Sequence, residues 1–240
     1  MILDAKYLGT PYRCAVYFVP DPDSVWWDAG SSWLGRCAAT SQPVLQPLID
    51  GVSSKEQWAL TAEPRRYGWH ATLKAPFKIV PGIDLRSVML ALREIGKSLP
   101  AFDLPAMKVS TDGGYMALRP QDSSAEIQRA GDACVTGLHQ LAVPLGESEL
   151  ARRRMAQLTP LQDQLLQVWG YPYVLDEFSF HLSLTGRLDN LSKAQLAQWQ
   201  EAAMSHFGHL PACRFDRLAL FVEPERGADF QLFDQVLLTS

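Results

Sequence analysis

Two short phrases carry the residues best suited to chemistry: "YGWHATLKAPF" at 67–77 and "FSFHLSLTGRL" at 178–188. Each sets a histidine in an otherwise apolar run with a hydroxyl two places on, His70 before Thr72 and His181 before Ser183. Alternate side chains of a strand share a face, so His70, Thr72 and Lys74 are expected on one side, against Ala71, Leu73 and Ala75. The second phrase puts His181, Ser183, Thr185 and Arg187 opposite Leu182, Leu184 and Gly186. Same-face neighbours stand roughly 7 Å apart, which lets a histidine and the adjacent hydroxyl reach different oxygens of one phosphate.

An unperturbed imidazole titrates near pH 6.5, so a pair can hold one neutral and one protonated member near neutrality. Across a phosphodiester, one then activates water while the other protonates the departing oxygen. Thr72 and Ser183 can donate to the non-bridging oxygens, and Lys74 and Arg187 extend the same polar faces. Arg66 and Tyr67 precede the first histidine and Tyr173 precedes the second, in loops that would carry substrate contacts.

A buried histidine beside a β-favouring hydroxyl also reads as plain packing, and for either strand alone that reading is the better one. Of the five histidines, however, only His70 and His181 are followed by Ser or Thr at the second position and Leu at the third. His139, His206 and His209 fall in helical contexts without that pattern. The basic run Arg152–Arg154 reads as a solvated helix face rather than an RNA track, and Trp26, Trp27 and Trp33 as packing residues.

The elements that must position these residues follow from periodicity. "CAVYFV" (14–19) reads as a buried strand, 24–36 as a short helix, and 84–99 as an amphipathic helix capped by Asp84. Residues 102–121 form a hairpin about "TDGG", followed by a helix over 124–141 and a helical stretch over 147–169 bent at Pro160. After the second histidine strand come a helix over 192–208 with Ser192 as cap and a second hairpin, 213–238, turning at "ERGA". Strand, helix and hairpin thus occur twice, each time after a histidine, which implies two halves facing a common cleft.

The whole chain sets wide bounds. Its 240 residues, 47% hydrophobic and 20% charged, have an ordinary globular profile, and a net charge of -4 argues against non-specific DNA binding. Cys14, Cys37, Cys134 and Cys213 are too scattered for a disulfide framework or a zinc site, and the histidines lack HxH or HExxH spacing, so no metal or cofactor is expected. No signal peptide or membrane-length apolar run is evident, which makes a cytoplasmic protein without a membrane partner the simplest expectation.

The pair His70-Ala-Thr72-Leu and His181-Leu-Ser183-Leu resembles the two HxT/S-hydrophobic motifs of the 2H phosphoesterase superfamily. The longer phrases "PRRYGWHATLKAPF", "WLGR" and "GYPYVLDEFSFHLSLTGRL" resemble its DUF1045 branch, encoded near phosphonate-degradation genes, and the likeness covers nearly the full chain. It implies one bilobal α+β domain over 1–240, with pseudo-two-fold duplicated antiparallel sheets and outer helices around a central cleft. It also implies metal-independent catalysis by His70 and His181, with phosphate contacts from Thr72, Ser183 and Lys74. Expected substrates are cyclic phosphates or phosphodiesters of a small nucleotide or sugar-phosphate metabolite. The alternatives are an RNA 2',3'-cyclic phosphodiesterase acting on an RNA end, or a non-catalytic phosphate-binding module; the oligomeric state stays open.

Overall fold

The apolar run after Arg13 forms strand β1 (Arg13–Phe18), buried from Cys14 onward. In the computed structural model, which describes residues 10–239, β1 lies between β2 (Ala71–Phe77) and β8 (Arg217–Glu223). With β9 (Gln231–Leu237) they make an antiparallel sheet ordered β2-β1-β8-β9. The interior strand β8 is buried along its whole length, which explains its near-continuous apolar sequence. A second antiparallel sheet, ordered β4-β5-β6, comprises Met107–Ser110, Tyr115–Pro120 and Leu182–Arg187. The expected hairpin at 102–121 is therefore confined to β4 and β5, because β3 (Phe102–Asp103) pairs instead with β7 (Arg214–Phe215).

Helices α1 (Val25–Leu34), α2 (Ser54–Leu60) and α3 (Ala62–Tyr67) lie between β1 and β2, and α4 (Leu85–Lys97) follows β2. Asp84 caps α4 by accepting from Ser87 N–H at 2.8 Å, as its sequence position predicts. Ser124 caps α5 (Ala125–Gly137). The expected bent helix at 147–169 is two helices, α6 (Glu147–Arg154) and α7 (Pro160–Trp169). Thr159 caps α7 and Pro160 takes its first turn, where a missing N–H costs nothing, so the proline starts a helix rather than kinking one. Ser192 opens α8 (Lys193–Phe207) with a capping box.

Each histidine strand is followed by a helix and a hairpin, but the hairpins are exchanged between sheets. The β4–β5 hairpin, which follows β2, pairs with β6; the β8–β9 hairpin, which follows β6, joins the sheet of β2. Both histidine strands end up as edge strands, one in each sheet. One continuous apolar cluster spans the two sheets, with Val16 and Leu73 from the first and Met116, Leu118, Leu182 and Leu184 from the second. Trp26, Trp27 and Trp33 are buried, and the Trp33 indole N–H reaches across to Leu184 O at 3.0 Å. No helix among the described residues is long and apolar enough to cross a membrane.

Candidate active site

His70 is positioned by what precedes it. Helix α3 stops at Gly68, whose φ of 82° suits glycine, and a Cβ there would lie 2.6 Å from that of Ala38. Buried Arg36, from the "WLGR" phrase, clamps the end of α3 by donating from Nε to Arg65 O at 3.1 Å and from Nη2 to Arg66 O at 3.2 Å. Trp69 is fully buried and stacked on Phe207 with ring centroids 5.4 Å apart. It presses so closely on α1 that a Cβ at Gly30 would lie 2.0 Å from the indole. Held by that anchor, His70 donates from Nδ1 to Gly68 O at 2.8 Å, and its ring lies 3.9 Å, centroid to centroid, from that of Tyr17.

His181 repeats the arrangement, with Nδ1 2.8 Å from Ser179 O. A carbonyl can only accept, so in both neutral imidazoles Nδ1 carries the proton and Nε2 keeps its lone pair. Thr72 Oγ1 stands 3.3 Å from Nε2 of His70, and Tyr115 Oη 3.2 Å from Nε2 of His181; both hydroxyls can donate. Arg119 donates from Nη2 to Tyr115 Oη at 2.8 Å and from Nη1 to Ser179 Oγ at 2.8 Å. The tyrosine oxygen thus accepts from arginine while its hydrogen points at the imidazole.

Burial, against the opposing pull of Gly68 O and with a smaller push from the His181 charge, holds the His70 pKa down at about 4. Burial also lowers the pKa of His181, against the Ser179 carbonyl and with help from the Arg119 guanidinium. Both imidazoles are consequently neutral in the unliganded cleft at pH 7, and an anion between them would favour protonation.

The two rings face one cavity of about 750 Å³. Thr72, Ser183, Arg66, Tyr67, Tyr173 and Arg187 all line it, as their sequence positions suggest. Arg187 stays at the exposed rim, with its charge met by Asp189 at 2.9 Å.

Lys74 does not line the cleft, contrary to its expected place beside Thr72. Val16 pairs with Lys74 and Tyr17 with Thr72, so Leu73 is an extra residue in β2. That bulge reverses the alternation. Lys74 is buried beneath α5, donates to Val135 O at 3.2 Å, and has its pKa pushed down to about 8 by burial. Thr185 borders the cavity but is committed to the backbone: in β6, residues 183–187 span only 115–117 of β5, and Thr185 Oγ1 accepts from Met116 N–H at 2.9 Å.

The run at 152–154 is only partly the solvated face expected of it. Arg154 pairs outward with Asp163, whereas Arg152 and Arg153 border the cleft. Tyr17, Tyr115, Arg119, Tyr171 and Arg13 also line the cavity and were not anticipated. For Tyr115 and Arg119 a signal existed: four residues apart on a strand, they share a face. Among the described residues, no group of three or more His, Cys, Asp or Glu is placed to hold a metal ion.

An α+β fold thus brings two edge-strand histidines, each with Nδ1 on the carbonyl two residues upstream, to one cavity in two matching arrangements. The chain belongs to the DUF1045 family, described as a protein of unknown function, whose model matches residues 72–231. It is 38% identical over 221 residues to the ribose 1,5-bisphosphate phosphokinase PhnN of Janthinobacterium sp. (strain Marseille), covering 91% of this chain and 49% of the relative. The protein of the same name from Laribacter hongkongensis (strain HLHK9) is 36% identical over 220 residues, covering 92% and 50%. The chain thus spans about half the length of these curated relatives. Among solved structures, E. coli LigT complexed with ATP aligns with a TM-score of 0.47 at 10% identity, over 97% of this chain and 100% of that one. The crystal structure of a phosphoesterase aligns with a TM-score of 0.45 at 10% identity, over 96% of this chain and 99% of that one.

Proposed function

We propose that the protein is a metal-independent phosphoesterase that hydrolyses a cyclic phosphate or phosphodiester of a small sugar-phosphate or nucleotide. The carrying observation is that both histidines fix Nδ1 on the carbonyl two residues upstream and turn Nε2 toward the same cavity. One neutral Nε2 takes a proton from water as the water oxygen bonds to phosphorus. The protonated Nε2 of the partner imidazole gives its hydrogen to the sugar oxygen as the opposite P–O bond breaks, leaving a monoester. Thr72, Ser183 and Tyr115 supply hydroxyl hydrogens, and Arg119 a charge, where negative charge gathers on the non-bridging oxygens.

A concave cavity of about 750 Å³ suits a small molecule, which favours a metabolite over an RNA strand. The name of the two relatives favours a ribose phosphate. The chain matches only about half of those relatives, and its two-histidine cleft supports a hydrolytic step on a related compound. Such a chain would act in a compartment that supplies phosphorylated sugars, consistent with a cytoplasmic setting and with phosphonate breakdown as its context.

The test is hydrolysis of ribose cyclic phosphates, nucleoside 2',3'-cyclic phosphates and cyclic-phosphate-ended RNA by chelator-treated protein. His70→Ala and His181→Ala should each lower kcat by about 10²–10⁴-fold. Turnover indifferent to both substitutions would overturn the mechanism, and tight binding without turnover would make the cleft a binding module.

A further inference from the structure

The geometry points to a second anion subsite in the same cleft, formed by Arg13, Arg66, Arg152 and Arg153. It would hold a terminal phosphate monoester of the substrate while the histidines act on another phosphate. This rests on the phosphoesterase reading. The substrate class becomes a small cyclic phosphate or phosphodiester with an additional terminal phosphate.

Arg13 lies four residues before Tyr17 on β1, roughly 13 Å along the strand from the residue whose ring meets His70. Its Nε donates to Glu223, and Arg66 Nη2 donates to the other oxygen of the same carboxylate. Gly227 N–H adds a third bond to Glu223 at 2.8 Å. Burial opposes ionisation of Glu223, yet the Arg13 bond, the Gly227 N–H and the charges of both arginines hold its pKa below the usual range. Glu223 therefore orients two guanidiniums at the cavity wall and neutralises only one.

Arg152 and Arg153 repeat that imbalance on α6. They share Glu149, at 3.4 Å from Arg152 and 4.0 Å from Arg153. Arg153 Nε is buried with no hydrogen-bond partner, and its guanidinium lies 5.9 Å from the Tyr171 ring centroid. Arg13 from β1 and Arg152 and Arg153 from α6 line the same cavity, and the charges of Arg152 and Arg13 both bear on Arg153. Four guanidiniums facing two carboxylates leave two positive charges, the complement of a phosphate dianion. Two further carboxylates line the cleft: Glu63, near the Arg187 that Asp189 already pairs, and Glu177, which accepts from Gln162 at 2.8 Å. Planar guanidinium forks bind phosphate in pairs of bonds, and an orphaned Nε is an unused donor of that kind.

The experiment compares nucleoside 2',3'-cyclic phosphates with and without a 5'-phosphate, in the unaltered protein, Arg153→Gln and Arg153→Lys, together with calorimetric binding of ribose 5-phosphate. The unaltered protein should prefer the 5'-phosphorylated substrate in kcat/KM by about ten- to a hundredfold. Arg153→Gln should erase most of that preference, and Arg153→Lys should keep part of it. Ribose 5-phosphate should bind at least about tenfold more weakly to Arg153→Gln at an unchanged melting temperature. No preference in the unaltered protein, or equal ribose 5-phosphate binding by Arg153→Gln, would overturn the subsite. Arg153-dependent binding without turnover of any cyclic phosphate would retire the phosphoesterase reading and leave the subsite standing.

Discussion

Replacing Arg119 by glutamine should move the alkaline limb of the pH–rate profile. Two successive hydrogen bonds, 2.8 Å from Arg119 to Tyr115 and 3.2 Å from Tyr115 to His181, hold the guanidinium nitrogen within about 6 Å of Nε2. At that separation a unit charge is worth about 0.7 kcal/mol in a water-like dielectric and about 2.8 kcal/mol at an effective dielectric of about 20. At 1.36 kcal/mol per pH unit, an energy of that size is enough to raise the His181 pKa measurably once the charge is gone. The sign is fixed: a neighbouring cation disfavours imidazolium, so its removal favours it. Because kcat/KM reports the free protein, its optimum should lie below pH 6.5, between the two depressed pKa values. Above the higher of these the acid is lost, and near pH 4 the base is lost.

The assay is kcat/KM against pH for the unaltered protein, Arg119→Gln and Arg119→Lys, with imidazole titration by NMR as a readout independent of turnover. Arg119→Gln should shift the alkaline limb upward, more so at low ionic strength, while Arg119→Lys keeps the charge and most of the original profile. An unmoved His181 titration in Arg119→Gln, or an equal shift in Arg119→Lys, would refute the electrostatic account.

Two further substitutions test the framework of the site. Gly68→Ala imposes a side chain at a φ of 82° and 2.6 Å from the Ala38 Cβ, so it should cost about 1–3 kcal/mol in urea unfolding. It should also lower kcat, since the displaced carbonyl no longer fixes Nδ1 of His70. Lys74→Met removes a buried ammonium turned away from the cleft, and should leave kcat/KM near its original value while raising stability at pH 7. The Lys74 pKa falls from 10.5 to about 8 on folding, so the unfolded chain binds more protons between those values. Stability should therefore rise with pH across that window in the unaltered protein, by up to about 3 kcal/mol. That rise should be absent from Lys74→Met when each is followed by urea titration.

The histidine strands were legible because a two-residue alternation of polar and apolar side chains survives in both motifs where it matters most, at His70–Thr72 and His181–Ser183. Caps were legible for a local reason: Asp84 and Ser192 bond N–H groups only three residues away. Lys74 was misread because a bulge is set by the partner strand, and nothing within "HATLKAPF" marks Leu73 as the extra residue. Arg119 and Arg153 were missed because their importance lies in which strand or helix faces them across the cavity, a property of topology rather than spacing.

The hairpin exchange bears directly on how the two histidines come to share a site. If each hairpin stayed with the strand it follows, either half could form a sheet without the other, and the distance between His70 and His181 would depend on how two separate bodies docked. Here β2 needs a sheet completed by residues 217–237, and β6 needs one built from 107–120. β2 pairs with β1 of its own half, but β1 takes β8 on its other edge and β6 pairs with β5 of the first half, so neither sheet is complete until both halves have folded together; the Trp33 bond to Leu184 O lies within the core they share. Side chains in such a close-packed core have little freedom to shift. The separation of the two Nε2 atoms is thus held by backbone ladders and core packing rather than by a hinge, as the proposed in-line transfer would require.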